Sequence, residues 1–303
     1  MDRRRPRRPT FPRVAFVGAG RVANALAPVL RAAGVPIVSV TSRSGSSAQS
    51  LAQKIPGCRV GLPHAAELVV LAVPDGAIAE VATGFEWQPG QAVVHVAGSL
   101  GREPLSAAEN AGAITGAWHP LQSLARPADD LRGVRFAIEA PPPLDETLAG
   151  LSRAVGGVPL FVPPEGRVVY HLGATIVSNY AVALGALAAQ LWETIGIDRA
   201  SAVSALAPLL AGTASNVAMA GLPEALTGPV SRGDIATIDR HLIALVRLRP
   251  DLIPVYRALG RVALELASER GLPDDRIQAL RQRLDDGADA TTAAEGVSRW
   301  RNG

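Results

Sequence analysis

Val14-Ala-Phe-Val-Gly-Ala-Gly-Arg-Val-Ala-Asn-Ala25 is the stretch whose reading decides the fold. An apolar run of β character ends in Gly18-Ala19-Gly20, and a helical pattern begins at once with Arg21 and Val22. The spacing is G-x-G-x-x-A between a strand and a helix, the setting in which that motif points to a dinucleotide. Gly18 permits a tight turn, Gly20 lets a pyrophosphate approach the backbone, and Ala23 lets the helix lie close on the sheet. Unpaired amides at the helix start, together with its partial positive charge, suit the phosphates.

Working outward, strands and helices alternate. A helix over Arg21 to Ala33 closes at Gly34, and Pro36 to Thr41 reads as the second strand. A short helix spans Ser46 to Ile55, and a brief third strand Cys58 to Val60. Glu67 to Val73 is a continuous apolar run, as expected of a strand buried on both faces. Further strands are expected over Ala92–Ala97, Ala113–Trp118, Val134–Glu139 and Val158–Val162, with a helix over Leu144–Val155. This is the pattern of a doubly wound parallel sheet. Near Pro163-Pro164 it changes to helical periods alone: a long helix from Arg167 to Thr194, then helices over Asp234–Leu248, Leu252–Arg270 and Asp274–Leu284. The expected architecture is α/β, a doubly wound Rossmann domain followed by an all-helical C-terminal domain. Its expected divisions are a basic tail over 1–12, the dinucleotide-binding domain over 13–163, the helical substrate and dimerisation domain over 164–286, and a loose end over 287–303.

The length of 303 residues suits two domains with real cores. Pro, Gly and charged residues interrupt each apolar run before the roughly 20 residues of a membrane span, so no membrane association is expected. No apolar segment separates the Arg-rich start from the first strand, which argues against a secretory signal. A single cysteine, Cys58, excludes an internal disulfide and fits a reducing cytoplasm. The sequence pI of about 9.6 invites a nucleic-acid reading. Yet Arg3, Arg4, Arg5, Arg7 and Arg8 against Asp2 put +4 into the first ten residues, and the formal +3 of the chain less that +4 leaves −1 elsewhere. With no aromatic and basic face outside the tail, nucleic acid is not an expected partner. No His, Cys and Asp cluster has metal-ligand spacing.

An NAD-specific site places an acidic residue at the end of the second strand, against the ribose hydroxyls. Here the chain reads Thr41-Ser42-Arg43-Ser44. Hydroxyls and a guanidinium suit a 2′-phosphate, so NADP is the expected cofactor. Val73-Pro74 and Gly98-Ser99 fall at strand ends on the same edge, where the nicotinamide is expected.

Hydride addition to C=O or C=N leaves charge on the heteroatom, which calls for a proton donor or a fixed dipole. Lys54 is the only lysine, and its helix follows the second strand, so no lysine stands on the long helix. His119, expected just past a strand at the carboxyl edge, is the first candidate, its usual pKa suiting proton transfer near neutrality. It could equally hydrogen-bond loops and fix their shape. His95, inside a buried-type strand, reads as a satisfied core histidine. His171, Thr175 and Asn179 recur every fourth residue in a stripe that also holds Tyr170 and Ser178. Asn179 could polarise a carbonyl or serve helix–helix hydrogen bonding. In Leu226-Thr-Gly-Pro-Val-Ser-Arg-Gly-Asp234, Arg232 could clamp a substrate carboxylate, and Asp234 reads as the N-cap of the next helix.

Val17-Gly-Ala-Gly-Arg-Val22, Leu71-Ala-Val-Pro-Asp75, His119-Pro-Leu-Gln-Ser123, Ser178-Asn179-Tyr180 and Leu226 to Asp234 together resemble the Rossmann-like proteins that carry a helical C-terminal domain of unknown function. The resemblance runs from the end of the Arg-rich tail to about Leu284. That family is similar to pyrroline-carboxylate reductases, ketopantoate reductases and hydroxyacid dehydrogenases. The resemblance implies an NADP-dependent oxidoreductase, an interdomain active site and a homodimer made through the helical domains. Ketopantoate reductases and hydroxyacid dehydrogenases carry a lysine and an asparagine one turn apart on the long helix. Asn179 matches the asparagine, whereas Thr175 stands where the lysine would be.

The resulting expectation is an NADPH-dependent reductase of a small carboxylated ketone or imine, with a ketopantoate-like substrate as the resemblance suggests. His119, Asn179 and Arg232 would serve the substrate. Gly18, Ala19, Gly20, Arg21, Val22, Ser42, Arg43, Ser44, Val73, Pro74, Gly98 and Ser99 would line the cofactor. Two rivals are an NADP-binding sensor or scaffold without turnover, and a protein passing hydride between NADP and a deazaflavin.

Overall fold

The computed structural model describes residues 11–124 and 130–285. The expected basic arm, apart from Phe11 and Pro12, and the expected loose end lie outside the described residues. The chain divides into two compact units between Asn179 and Tyr180.

The first unit is built on β1 (Val14–Val17), whose four residues are all buried. Around it lie α1 (Arg21–Ala32), β2 (Ile37–Thr41), α2 (Gly45–Gln53), β3 (Arg59–Val60) and β4 (Leu68–Leu71). The chain continues through α3 (Ile78–Thr83), β5 (Ala92–His95), α4 (Ser106–Asn110), β6 (Ile114–Pro120), β7 (Arg135–Glu139), α5 (Leu144–Ala154) and β8 (Val158–Phe161). The strand order is β3-β2-β1-β4-β5-β6-β7-β8. The expected doubly wound sheet is thus present, with one exception to its parallel run: β7 pairs antiparallel to β6. Successive strands leave β1 in opposite directions, so a crevice opens beyond the carboxyl ends of β1 and β4, where ligands of open α/β sheets bind. On α1, Ala23, Leu26, Ala27 and Leu30 face the core at helical spacing and bind the helix to the sheet.

Two strands are shorter than the apolar runs that encode them. β4 stops at Leu71 and β5 at His95, although the Ala72 amide still donates to the Val17 carbonyl at 2.7 Å. At β5 the cause is local: the His95 side chain accepts a hydrogen bond from the Ala97 amide, replacing a ladder partner. β6 instead runs longer than its apolar core, to Pro120, because β7 returns alongside it and pairs Ala137 with His119.

The long α6 (Arg167–Glu193) begins in the first unit and continues in the second, followed by α7 (Arg199–Ala220), α8 (Ile235–Leu248), α9 (Ile253–Glu269) and α10 (Asp274–Leu284). The core of the second unit joins Ile238 and Leu242 of α8, Leu264 of α9, and Ile277, Leu280 and Leu284 of α10. Asp234 caps α8, accepting from the Thr237 amide at 3.0 Å, as its sequence position implies.

The expectation about apolar runs needs correction. The segment Pro164–Glu193 and helix α7 are each long and apolar enough to cross a membrane, with mean hydropathies of 1.6 and 1.4. Ala, Gly and Ser sustain the helices without interrupting them, and Pro208 lies inside α7. Only 6 % of each apolar window is buried within the chain.

Candidate active site

The turn after β1 is fixed by sterics. Gly18 adopts φ +103°, and a Cβ there would stand 2.2 Å from the Ala72 carbonyl oxygen beyond β4. Its amide donates to Thr41 at 2.8 Å, so one residue ties together the ends of β1, β2 and β4. Gly20 is different: it is exposed, and a Cβ there would meet nothing nearer than 3.9 Å. It is the N-cap of α1, and no side chain caps it. The first-turn amides of α1, including those of Arg21 and Val22, are therefore open toward an anion. The Asn24 side chain donates to the carbonyls of Ala19 and Gly20, and the Lys54 ammonium donates to Asn24 at 2.9 Å. Lys54 thus holds the glycine turn in shape from outside it. This geometry fits a pyrophosphate on the turn.

Beyond β2, Ser42, Arg43 and Ser44 lead into α2 at the same sheet edge. Arg43 is exposed. Ser44 has a structural task the sequence reading did not give it: its hydroxyl caps α2. Val73 is partly covered beyond β4, and Pro74 begins a helical turn over Asp75–Ala77.

Past β5 the backbone is shaped by His95, which is fully buried. Nδ1 accepts from Ala97, so the ring proton is on Nε2, which donates to the Gly101 carbonyl at 2.6 Å. Burial holds the pKa of this imidazole below its ordinary value. His95 is a satisfied core histidine that sets the loop carrying Gly98 and Ser99. Gly98 itself is buried, and two rings close over it. A Cβ there would stand 2.6 Å from Cδ2 of His171 and 3.1 Å from Nε2 of His119.

His119 occupies the β6 strand rather than the segment after it. Its Nδ1 lies 2.8 Å from the Tyr170 hydroxyl, and the two rings meet edge to face at 83°. Arg167 stands over the Tyr170 ring, its Cζ 6.0 Å from the centroid. The Arg167 side chain is buried, and its Nε donates to the buried Glu139 at 3.2 Å. Arg102 approaches the other Glu139 oxygen at 4.0 Å. Both terminal nitrogens of Arg167 are buried without a hydrogen-bond partner among the described residues. Burial, then the positive charge of Arg167, with His171 and His95 adding to it, push the His119 pKa down to about 4. Near neutrality this ring is uncharged. It acts as a directed hydrogen-bond donor or acceptor, which replaces the expectation of an imidazole titrating around pH 7. Burial pushes the Tyr170 hydroxyl up to about 12, against the opposing pull of Arg167.

The structure brings together Gly98, His119, Tyr170 and His171. It does not bring Asn179 to them: that residue is exposed and lies two turns along α6 from His171, a rise of about 12 Å. Arg232 is exposed on the loop before α8 in the second unit. Sequence reasoning missed Tyr170, Arg167 and Glu139 as parts of the site. Tyr170 was visible as a member of the polar stripe; nothing in the sequence marks Glu139 as the partner of Arg167.

Comparison with known proteins gives two family matches. Residues 2–120 match a Rossmann-like domain, and residues 134–263 match the family described as Domain of unknown function (DUF2520). No curated protein matches. Among solved structures, a candidate NADP oxidoreductase from Bacteroides fragilis is 28 % identical with a TM-score of 0.65, over 84 % of this chain and 98 % of that one. A protein from Thermotoga maritima is 24 % identical with a TM-score of 0.70, over 85 % and 99 %. A reductive aminase from Aspergillus terreus, solved with NADPH and ethyl levulinate, is 16 % identical with a TM-score of 0.58, over 89 % and 98 %.

Proposed function

We propose that this chain, a Rossmann-like domain followed by a domain of the DUF2520 family, is an NADPH-dependent reductase of a small carboxylated ketone or imine. One observation carries the reading: the open, uncapped start of α1 lies on the sheet edge that also holds the His119–Tyr170 pair. A nucleotide seated there by the amides of Arg21 and Val22 supplies hydride when bound. Val73, Pro74, Gly98 and Ser99 are the proposed neighbours of its nicotinamide. Ser42, Arg43 and the start of α2 are the proposed contacts for a 2′-phosphate, with Ser44 divided between that role and its cap. The Bacteroides fragilis protein, itself a candidate NADP oxidoreductase, and the aminase solved with NADPH support the choice of cofactor.

His119 is the proposed group facing the reacting heteroatom, and its pairing with Tyr170 answers the absence of a lysine on the long helix. Arg232 is the proposed anchor for a substrate carboxylate, and Asn179 a further polar contact. The test is fluorescence titration of the purified protein with NADPH and NADH, for wild type and Arg43→Ala. Tight NADPH binding that weakens selectively in the variant supports the reading. Binding of neither nucleotide overturns it.

A second copy of this chain is the proposed partner. Val168, Val169, Ile176, Val177 and Val182 of α6, with Leu209, Leu210 and Met219 of α7, are exposed, and a helix apolar on all sides is normally covered. A bilayer is the less suitable cover for α6, because its first turn carries Arg167 in a buried ion pair with the sheet residue Glu139. Light scattering that gives a dimer mass supports this partner; a monomer mass removes it.

A further inference from the structure

The reading above leaves open whether the reduced group is a carbonyl or an imine, and the inference that follows rests on that reading. The Tyr170 hydroxyl has one hydrogen, and its partner among the described residues is Nδ1 of His119. If Nδ1 carried the ring proton, the hydroxyl hydrogen would have no described acceptor. The economical arrangement has Tyr170 donating and Nδ1 accepting. The ring proton of His119 then sits on Nε2, the nitrogen that closes over Gly98. Arg167 favours the same arrangement, since a guanidinium above the ring makes the phenol a better donor.

We infer that Tyr170 is a positioning residue that locks His119 as an Nε2–H donor, and that the group reduced here is a carbonyl rather than an iminium. A carbonyl oxygen has lone pairs for Nε2–H and gains negative charge as hydride adds, which a fixed donor and a nearby cation stabilise. An iminium nitrogen has no lone pair to accept with and carries positive charge from the start. His119, Tyr170 and His171 have no carboxylate hydrogen-bonded or ion-paired to them among the described residues, and Arg167 would repel such a cation. An unprotonated imine would accept Nε2–H, but the cation formed on protonating its nitrogen would face Arg167, and hydride addition to that cation ends in a neutral amine rather than in the anion that a fixed donor stabilises.

The step balances for a carbonyl. With hydride supplied to the carbonyl carbon by a bound dihydronicotinamide, which would thereby be oxidised, the C=O π pair would move to oxygen. That oxygen takes the Nε2 proton, Nδ1 takes the Tyr170 proton, and tyrosinate remains beside Arg167 until solvent reprotonates it. The alkoxide is a far stronger base than tyrosinate, so the transfer runs downhill.

The first experiment uses the full chain without nucleotide: imidazole ¹⁵N NMR near pH 7 on wild type and Tyr170→Phe, which keeps the ring beneath Arg167. The expected result is a neutral His119 with an Nε2–H and a pyridine-type Nδ1 in wild type, and a mixture of tautomers in Tyr170→Phe. An Nδ1–H tautomer in wild type, or one unchanged by the substitution, overturns the positioning role. The second measures NADPH oxidation with a 2-oxo acid and with a cyclic imine carboxylate of similar size. The ketone should be favoured at least tenfold in kcat/KM. Preference for the imine overturns the carbonyl assignment and leaves the reductase reading standing. Turnover of neither overturns both, while the NMR result still decides the role of Tyr170.

Discussion

The ring of His171 lies so close to Gly98 that a Cβ on that residue would stand 2.6 Å from its Cδ2, inside any real van der Waals contact. The His119 ring closes on the same point from β6, so a residue without a side chain is what allows β5, β6 and α6 to converge. Gly98→Ala should therefore push both imidazoles away. We expect a loss of about 1–3 kcal/mol in stability, read by denaturant titration, with a fall in turnover larger than that loss of folded protein explains.

Gly18 and Gly20 should part company although they share a motif. Gly18→Ala forces a side chain into positive φ and onto the Ala72 carbonyl, and should cost at least about 2 kcal/mol. Gly20→Ala has room, so the melting temperature should hold while NADPH affinity drops. Thermal melts alongside nucleotide titration separate the two. A Gly20→Ala protein that melts early but binds normally would reverse the assignment.

Stability should fall with acid between pH 6.5 and 4. An unfolded His119 takes up a proton near its ordinary 6.5, while the folded ring refuses one until about 4. The native state therefore keeps its full stability above 6.5 and loses it as pH drops through that window, by up to about 1.4 kcal/mol per unit. Tyr170, Arg167, His171 and His95 are the groups facing the ring, and the depressed pKa of His95 acts in the same direction. Denaturant midpoints across pH 4–7 should flatten in His119→Gln.

His95→Leu should act on folding before chemistry. It leaves the Ala97 amide and the Gly101 carbonyl buried without their partner, a loss of about 2–4 kcal/mol. Hydrogen exchange at Ala97 should accelerate in the variant. An unchanged rate would mean the loop does not depend on His95.

Arg232→Ala should raise KM with a smaller fall in kcat, the signature of binding lost equally from ground and transition states. Steady-state kinetics on a carboxylated substrate and its ester checks this. An unchanged KM for the acid removes Arg232 from the anchor role.

How much of this was legible in the sequence depended on range. Gly18, Gly20 and Ala23 reveal their jobs within one turn of chain, and the apolar runs reveal the strands, because both depend on neighbours in sequence. The Asp234 cap is equally local. His119 was recognisable as a candidate, but its chemistry was not, since its pKa is set by burial and by Arg167, 48 positions on. Tyr170 and Glu139 joined the site only when β6, β7 and the start of α6 met. The end of β5 was overrun because apolar residues continue past His95, whose side chain takes over from the backbone at Ala97. Helix α7 has no counterpart among the expected helices, its apolar residues being interspersed with Ser, Thr and Asn.

The hydrogen bond from Lys54 to Asn24 has a practical use. Lys54 is the only lysine in 303 residues, and it is exposed at the end of α2. Among its side chains, reagents that acylate amines therefore have one address, and that address braces the glycine turn. A dye or an isotopic tag placed there would act as an inbuilt reporter, its signal changing as a nucleotide occupies the turn and shielded from reagent while the nucleotide stays.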